Sequence, residues 1–236
     1  MHRPVLLYLL LFAAGTRTAA DPSAANSSWK ARPIAQWTGE DARQVLAASP
    51  WVKFVKPEQI RDLSVGEREA GGNWDEGIGK GVGIAGTGIL GPTREAEAIA
   101  RAHAKPPAGS VWVRWESALP VRAAEEKSGD TGAPVVDGGH YAIAVYDIPA
   151  PNRWNVENEL KGIAFLRRDK KKDFKPSRVE ILRQTDGMAT VVYFFPRSVE
   201  ITRKDRTITF VAQIGRLFVT QSFAIEEMLL YGKLEL

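Results

Sequence analysis

The residues best placed to do chemistry are Trp112, Arg114 and Glu116, at alternate positions of the run Ser110-Val111-Trp112-Val113-Arg114-Trp115-Glu116. Side chains of a strand leave on alternating faces, so this spacing gathers an indole, a guanidinium and a carboxylate on one face. Val111, Val113 and Trp115 fall on the other. An indole beside a charged pair on an accessible sheet face can stack on the C–H face of a sugar while the charges bond its hydroxyls. The competing arrangement lays Trp112 beneath a helix and leaves Arg114 and Glu116 as a solvated pair at the sheet edge. A second chemistry would need Glu116 and Asp147 brought together by the fold. Glycoside hydrolysis runs on two carboxyl groups about 5 to 10 Å apart, and such a pair leaves no trace in sequence.

Three other patterns resemble sites without the context those sites require. Asp130-Thr131-Gly132-Ala133 matches the catalytic turn of aspartic proteases, whose aspartate follows an apolar strand and faces a second carboxylate. Here Glu125-Glu126-Lys127-Ser128-Gly129 precedes it and the sequence has no second such turn, so a plain loop is expected. Gly81-Val82-Gly83-Ile84-Ala85-Gly86 has the dinucleotide spacing but neither the strand before it nor the helix after it that the mechanism needs. His103 and His140 have no carboxylate at metal-ligand spacing, which argues against a zinc site or a triad. No metal and no cofactor are expected, and no catalytic residue is assigned.

These residues sit in a chain whose front end sets its destination. Arg3 precedes an apolar core holding Leu6, Leu7, Leu9, Leu10, Leu11 and Phe12, and Thr18-Ala19-Ala20 supplies the small residues of a cleavage site. Residues 1–20 are expected to be a secretory signal peptide cut after Ala20. The apolar run is shorter than the ~20 residues that span a bilayer, and no other segment approaches that length, so the mature chain is expected to be secreted or periplasmic with no transmembrane segment. The formal charge of +4 falls to +2 once Arg3 and Arg17 are removed, which favours no nucleic-acid partner. With no cysteine the chain has no disulfides, and stability has to come from its core.

Residues 21–35 read as a disordered leader and residues 36–236 as a single domain. Residues 66–91 form a glycine-rich insertion, expected to be flexible. Thr38 with Asp41 gives a helix start that Pro50 stops, and Trp37 and Trp51 bracket that helix. Residues 93–103 suggest a surface helix, residues 120–127 a short one, and residues 154–168 the longest, from the spacing of Val156, Leu160, Ile163 and Ala164. Residues 141–149 read as a strand. The organising stretch is residues 177–223, where runs 178–183, 188–195, 198–202, 207–214 and 217–223 follow each other through turns such as Asp186-Gly187. Connections that short force antiparallel pairing. Residues 225–232 are compatible with a helical turn or a strand. The cations of residues 167–175 suit a solvated helix end or contact with anionic envelope polymers.

Trp37-Thr38-Gly39-Glu40-Asp41-Ala42-Arg43-Gln44-Val45-Leu46 with Ser49-Pro50-Trp51 resembles a group of exported bacterial proteins, largely from Acidobacteria-like soil bacteria. So do Val113-Arg114-Trp115-Glu116-Ser117-Ala118-Leu119-Pro120-Val121, Phe195-Pro196-Arg197-Ser198 and Gly232-Lys233-Leu234-Glu235-Leu236. The resemblance implies an envelope-side setting and brings no catalytic residues with it. The expected fold is α+β: a mostly antiparallel sheet of about five to seven strands, two or three helices on one face, and the glycine-rich insertion. The expected function is binding, with cell-envelope polymers or glycans as partners. The alternative is a glycan-active hydrolase whose carboxylate pair the fold assembles.

Overall fold

In the computed structural model, which describes residues 28–61, 109–150 and 157–236, strands dominate. In chain order the elements are α1 (Ser28–Ala31), α2 (Gly39–Ala48), β1 (Val52–Val55), β2 (Glu58–Gln59), β3 (Val111–Trp115), α3 (Leu119–Ser128) and β4 (His140–Pro149). They continue with α4 (Glu157–Gly162), β5 (Ala164–Arg168), β6 (Arg178–Arg183), β7 (Met188–Pro196), β8 (Thr207–Ile214) and β9 (Leu217–Ala224). A small hairpin, β10 (Leu229–Leu230) and β11 (Lys233–Leu234), closes the chain. The glycine-rich residues 66–91, the helix expected at 93–103 and the leader before Ser28 lie outside the described residues.

The strands make a five-stranded sheet in the order β1-β3-β4-β7-β6 and a four-stranded one in the order β2-β9-β8-β5, every pairing antiparallel. The fold is α+β. The apolar run of β7 does occupy an interior position, between β4 and β6, and Val191 through Phe195 are fully buried. Asp186-Gly187 turns β6 into β7: Gly187 takes φ +81°, and the Asp186 side chain accepts from the Met188 amide at 2.9 Å. Positive φ costs a residue with a Cβ more than it costs glycine, which is why the turn falls there.

Two facing sheets, rather than one, build the core. Ile208, Phe210, Ala212 and Ile214 line one side of β8, as their alternation requires, and meet Tyr193, Phe195 and Val191 from β7 in one apolar cluster. Ring contacts bridge the layers: Trp115 to Phe223 at 5.2 Å between centroids, near-perpendicular at 87°, and Tyr193 to Phe210 at 5.2 Å, inclined at 62°. Offset and edge-to-face geometries of this kind are preferred by the ring quadrupoles.

At the helical end, Thr38 and Asp41 form the reciprocal capping box, each side chain accepting from the other's amide. Trp37 and Trp51 are buried on either side of α2, joined through Trp29, whose ring lies 5.7 Å from Trp37 and 6.0 Å from Trp51. Trp29 corrects the expectation of a disordered leader as far as residue 35: burying that indole fixes α1. Trp51 also reaches the far end of the chain, donating Nε1–H to the Glu235 carbonyl at 2.7 Å.

Two further expectations are corrected. The helix read over residues 154–168 is only α4 among the described residues, and β5 takes the remainder. Ala164 and Leu166 face the main core while Phe165 packs on the other side with Val211 and Phe218. That period of two fits pairing on β8, which a helix cannot do. No strand forms at residues 198–202. Thr202 instead caps the 3-10 turn Arg203–Asp205, with the Asp205 carboxylate accepting from the Thr202 amide at 2.7 Å. Asx and Thr side chains that bond nearby amides compete with strand pairing in this way.

Candidate functional site

β3 carries Trp112 and Arg114 on the face of the five-stranded sheet turned away from the second sheet, and Glu116 follows at its end. The two charged residues form no solvated edge pair. Side-chain exposure is 12% for Arg114 and 0% for Glu116, because α3 crosses here and brings down Glu125, itself 7% exposed. Arg114 Nη1 donates to Glu125 Oε1 at 3.0 Å and to the Tyr146 hydroxyl at 3.3 Å, and its Nε stands 3.7 Å from Glu116 Oε1. The guanidinium lies over the Tyr146 ring at 4.3 Å, and Tyr146 donates to Glu116 Oε1 at 2.6 Å.

One guanidinium therefore faces two buried carboxyl groups, a charge balance that a proton corrects. Burial pushes the Glu116 carboxyl well above its ordinary range. Arg114 pulls the other way, and a hydrogen bond to Glu125 together with that residue's proximity adds to the rise. Glu116 Oε2 has no hydrogen-bond partner among the described residues, the arrangement expected of a buried carboxyl whose affinity for a proton is raised. Burial and the neighbouring Glu116 also raise the Tyr146 hydroxyl, so it stays a donor. Burial opposes the charge on Arg114, but Glu116, Tyr146 and Glu125 outweigh it and raise its pKa. The result is a sealed brace between α3 and β3.

Asp147 is not part of it. β4 has a bulge between Val145 and Ile148, where Asp147 takes φ 60° and is exposed to solvent. Burial and then Asp186 raise its carboxyl, with Arg114 opposing. The contacts of Glu116 are Arg114, Tyr146 and Glu125, so the fold gives it a different carboxyl neighbour from Asp147. Asp130 sits just past the α3 C-cap, accepting from the Gly132 amide at 3.0 Å, with Oδ2 3.8 Å from Arg114. His140 pairs with Asp137 at 2.6 Å in an exposed network with Arg178. Among the described residues no group of His, Cys, Asp or Glu is arranged to hold a metal ion.

Trp112 has a setting that its own strand does not disclose. It is half-buried, with Phe54 of β1 edge-on at 4.8 Å, and its register partners are Phe54 on one side and Tyr146 on the other. Three aromatic side chains thus form a row across three neighbouring strands. Phe54, Tyr146 and Glu125 were not singled out by motif or spacing. Only the cross-strand register and the passage of α3 bring them to Trp112 and Arg114. Elsewhere a cavity of about 440 Å³ opens near the end of β11.

No protein-family model, no curated protein and no solved structure matches this chain. No helix among the described residues is long and apolar enough to cross a membrane.

Proposed function

We propose that this chain is an exported, non-enzymatic binding protein of the cell envelope, with the aromatic pair Phe54 and Trp112, next in the row to the covered Tyr146, as its ligand face and a glycan as its ligand. The carrying observation is the register that sets those three rings side by side on one sheet face, with Trp112 and Phe54 half-buried. The Trp112 and Phe54 rings, edge to face at 4.8 Å, offer the C–H face of a sugar an apolar surface, and a sheet holds them there at little entropic cost. Arg114 shares the same sheet face, covers the Tyr146 ring with its guanidinium and bonds Glu125, and Glu116 is held by Tyr146, so neither is offered to sugar hydroxyls. Titration with soluble cell-wall polysaccharides tests the reading: Trp112→Ala lowers affinity roughly tenfold, about 1.4 kcal/mol. If that variant binds as the parent does, the platform is wrong.

A glycan-active hydrolase is the second reading, favoured by the raised proton affinity of buried Glu116 beside another carboxyl, a property a general acid needs. It would require α3 to lift. Release of reducing ends that disappears in Glu116→Gln would replace the binding reading.

A further inference from the structure

Pairing of β5 with β8 sets Arg168 opposite Ile208, so the loop that follows β5 lies beside the turn that precedes β8. Lys171 Nζ donates to Asp205 Oδ1 at 2.6 Å, and Arg168 Nη1 to the Glu200 carbonyl at 3.4 Å, which fastens the two segments together. Each segment is basic by itself. Residues 167–175 hold six cations against Asp169 and Asp173, and residues 200–206 hold Arg203, Lys204 and Arg206 against Glu200 and Asp205. Nine cations to four acids leave +5, more than the +4 of the whole chain. Glu226 and Glu227 follow Ile225, whose amide donates to the Arg206 carbonyl, and counting both still leaves +3.

The fold decides which of these charges remain available. Lys171 holds buried Asp205, and Arg167 reaches Asp173 at 3.4 Å. Arg168, Lys175 and Arg203 are turned onto the carbonyls of Lys172, Gly162 and Gly232. Lys170, Lys172, Lys204 and Arg206 are exposed, and among the described residues none is paired with an acid. Lys170 and Arg206 take positive φ, 55° and 54°, a conformation that glycine would adopt at lower cost. A cation therefore stands at the strained position of each segment, and strain of this kind gathers at functional surfaces.

The surroundings select the partner. Phe174 and Ile201 are the apolar side chains of these two segments, and both are buried, so neither can insert into a bilayer. Arg168 also covers the Phe174 ring at 5.1 Å, which leaves no platform on which nucleic-acid bases could stack. Three of the four available heads are ammonium groups, point charges that suit phosphate and lack the planar fork that matches carboxylate. We infer that this surface docks a linear phosphate-bearing polymer of the cell envelope. It belongs to the four-stranded sheet and the Phe54 and Trp112 pair to the five-stranded one, so either reading can fail alone.

Calorimetric titration of the full chain with linear polyphosphate at several salt concentrations is the test. Binding is saturable and weakens steeply with salt, as counterion release from a polyanion requires. Lys170→Gln combined with Lys204→Gln takes one exposed lysine from each segment. It weakens binding roughly tenfold or more at low salt and flattens the slope of log K against log salt by about two. Lys56→Gln combined with Lys127→Gln removes the same charge from exposed positions after β1 and at the end of α3, and leaves the slope unchanged. Absence of saturable binding, or equal loss in the two double variants, overturns the surface. Tighter binding to polygalacturonate, to phosphatidylglycerol vesicles or to single-stranded DNA than to polyphosphate overturns the partner.

Discussion

Replacing Arg114 by methionine keeps much of the side-chain volume and removes the one cation that faces Glu116 and Glu125. Both carboxyl groups are then buried without a counter-charge, at side-chain exposures of 0% and 7%. Breaking a buried pair by deleting one partner costs about 3–5 kcal/mol. In a domain of this size each kcal/mol shifts the melting point by roughly 2–4 °C, so Arg114→Met should melt about 6–20 °C lower near neutral pH. The sign with pH follows from Glu116, whose folded pKa is raised. Between its ordinary value and the raised one, the native state keeps a proton that the unfolded chain has released, so stability falls as pH rises through that window. Arg114→Met steepens the fall. At about pH 4, where Glu116 takes its proton in both states, the penalty shrinks toward the lost stacking on Tyr146 and the hydrogen bonds, roughly 1–2 kcal/mol. Urea unfolding at about pH 4 and pH 8 measures both limbs. A penalty below about 1 kcal/mol at pH 8, or the same penalty at both pH values, refutes the account of a proton-balanced brace.

Asp205 predicts the opposite pH behaviour. Burial works to raise its carboxyl, but hydrogen bonds from Lys171 and Thr202 outweigh it and hold the pKa below the ordinary value. Its stabilisation is therefore present above the unfolded pKa and lost as pH falls through the folded one. Asp205→Asn should cost about 1–3 kcal/mol at neutral pH and flatten the acid limb of the stability profile, as read by melting temperature against pH. Trp51→Phe keeps most of the buried ring but removes the donor to the Glu235 carbonyl, and should cost about 1–3 kcal/mol. Faster amide exchange in the β10–β11 hairpin than in β7 would locate that loss at the chain's end; uniform acceleration would place it in the core instead.

Local chemistry alone determined a good deal of this protein. Thr38, Asp41 and Pro50 bound α2, Asp186-Gly187 places a hairpin, and the uninterrupted apolar run of β7 requires cover on both faces. These signals are legible because each acts over a few residues and has one favourable outcome. Residues 163–168 show where that ends. Their apolar spacing suits a helix face or a strand, and the free edge of β8, some forty residues later, decided for the strand. The candidate site follows the same division. Alternation put Trp112, Arg114 and Glu116 on one face, but whether that face is open or sealed was not a property of β3. Glu125 arrives on α3, and Tyr146 and Phe54 arrive through strand register. Periodicity reports which side a residue faces. Desolvation, charge balance and proton affinity depend on what stands opposite, and that is a contact between parts of the chain that no local pattern encodes.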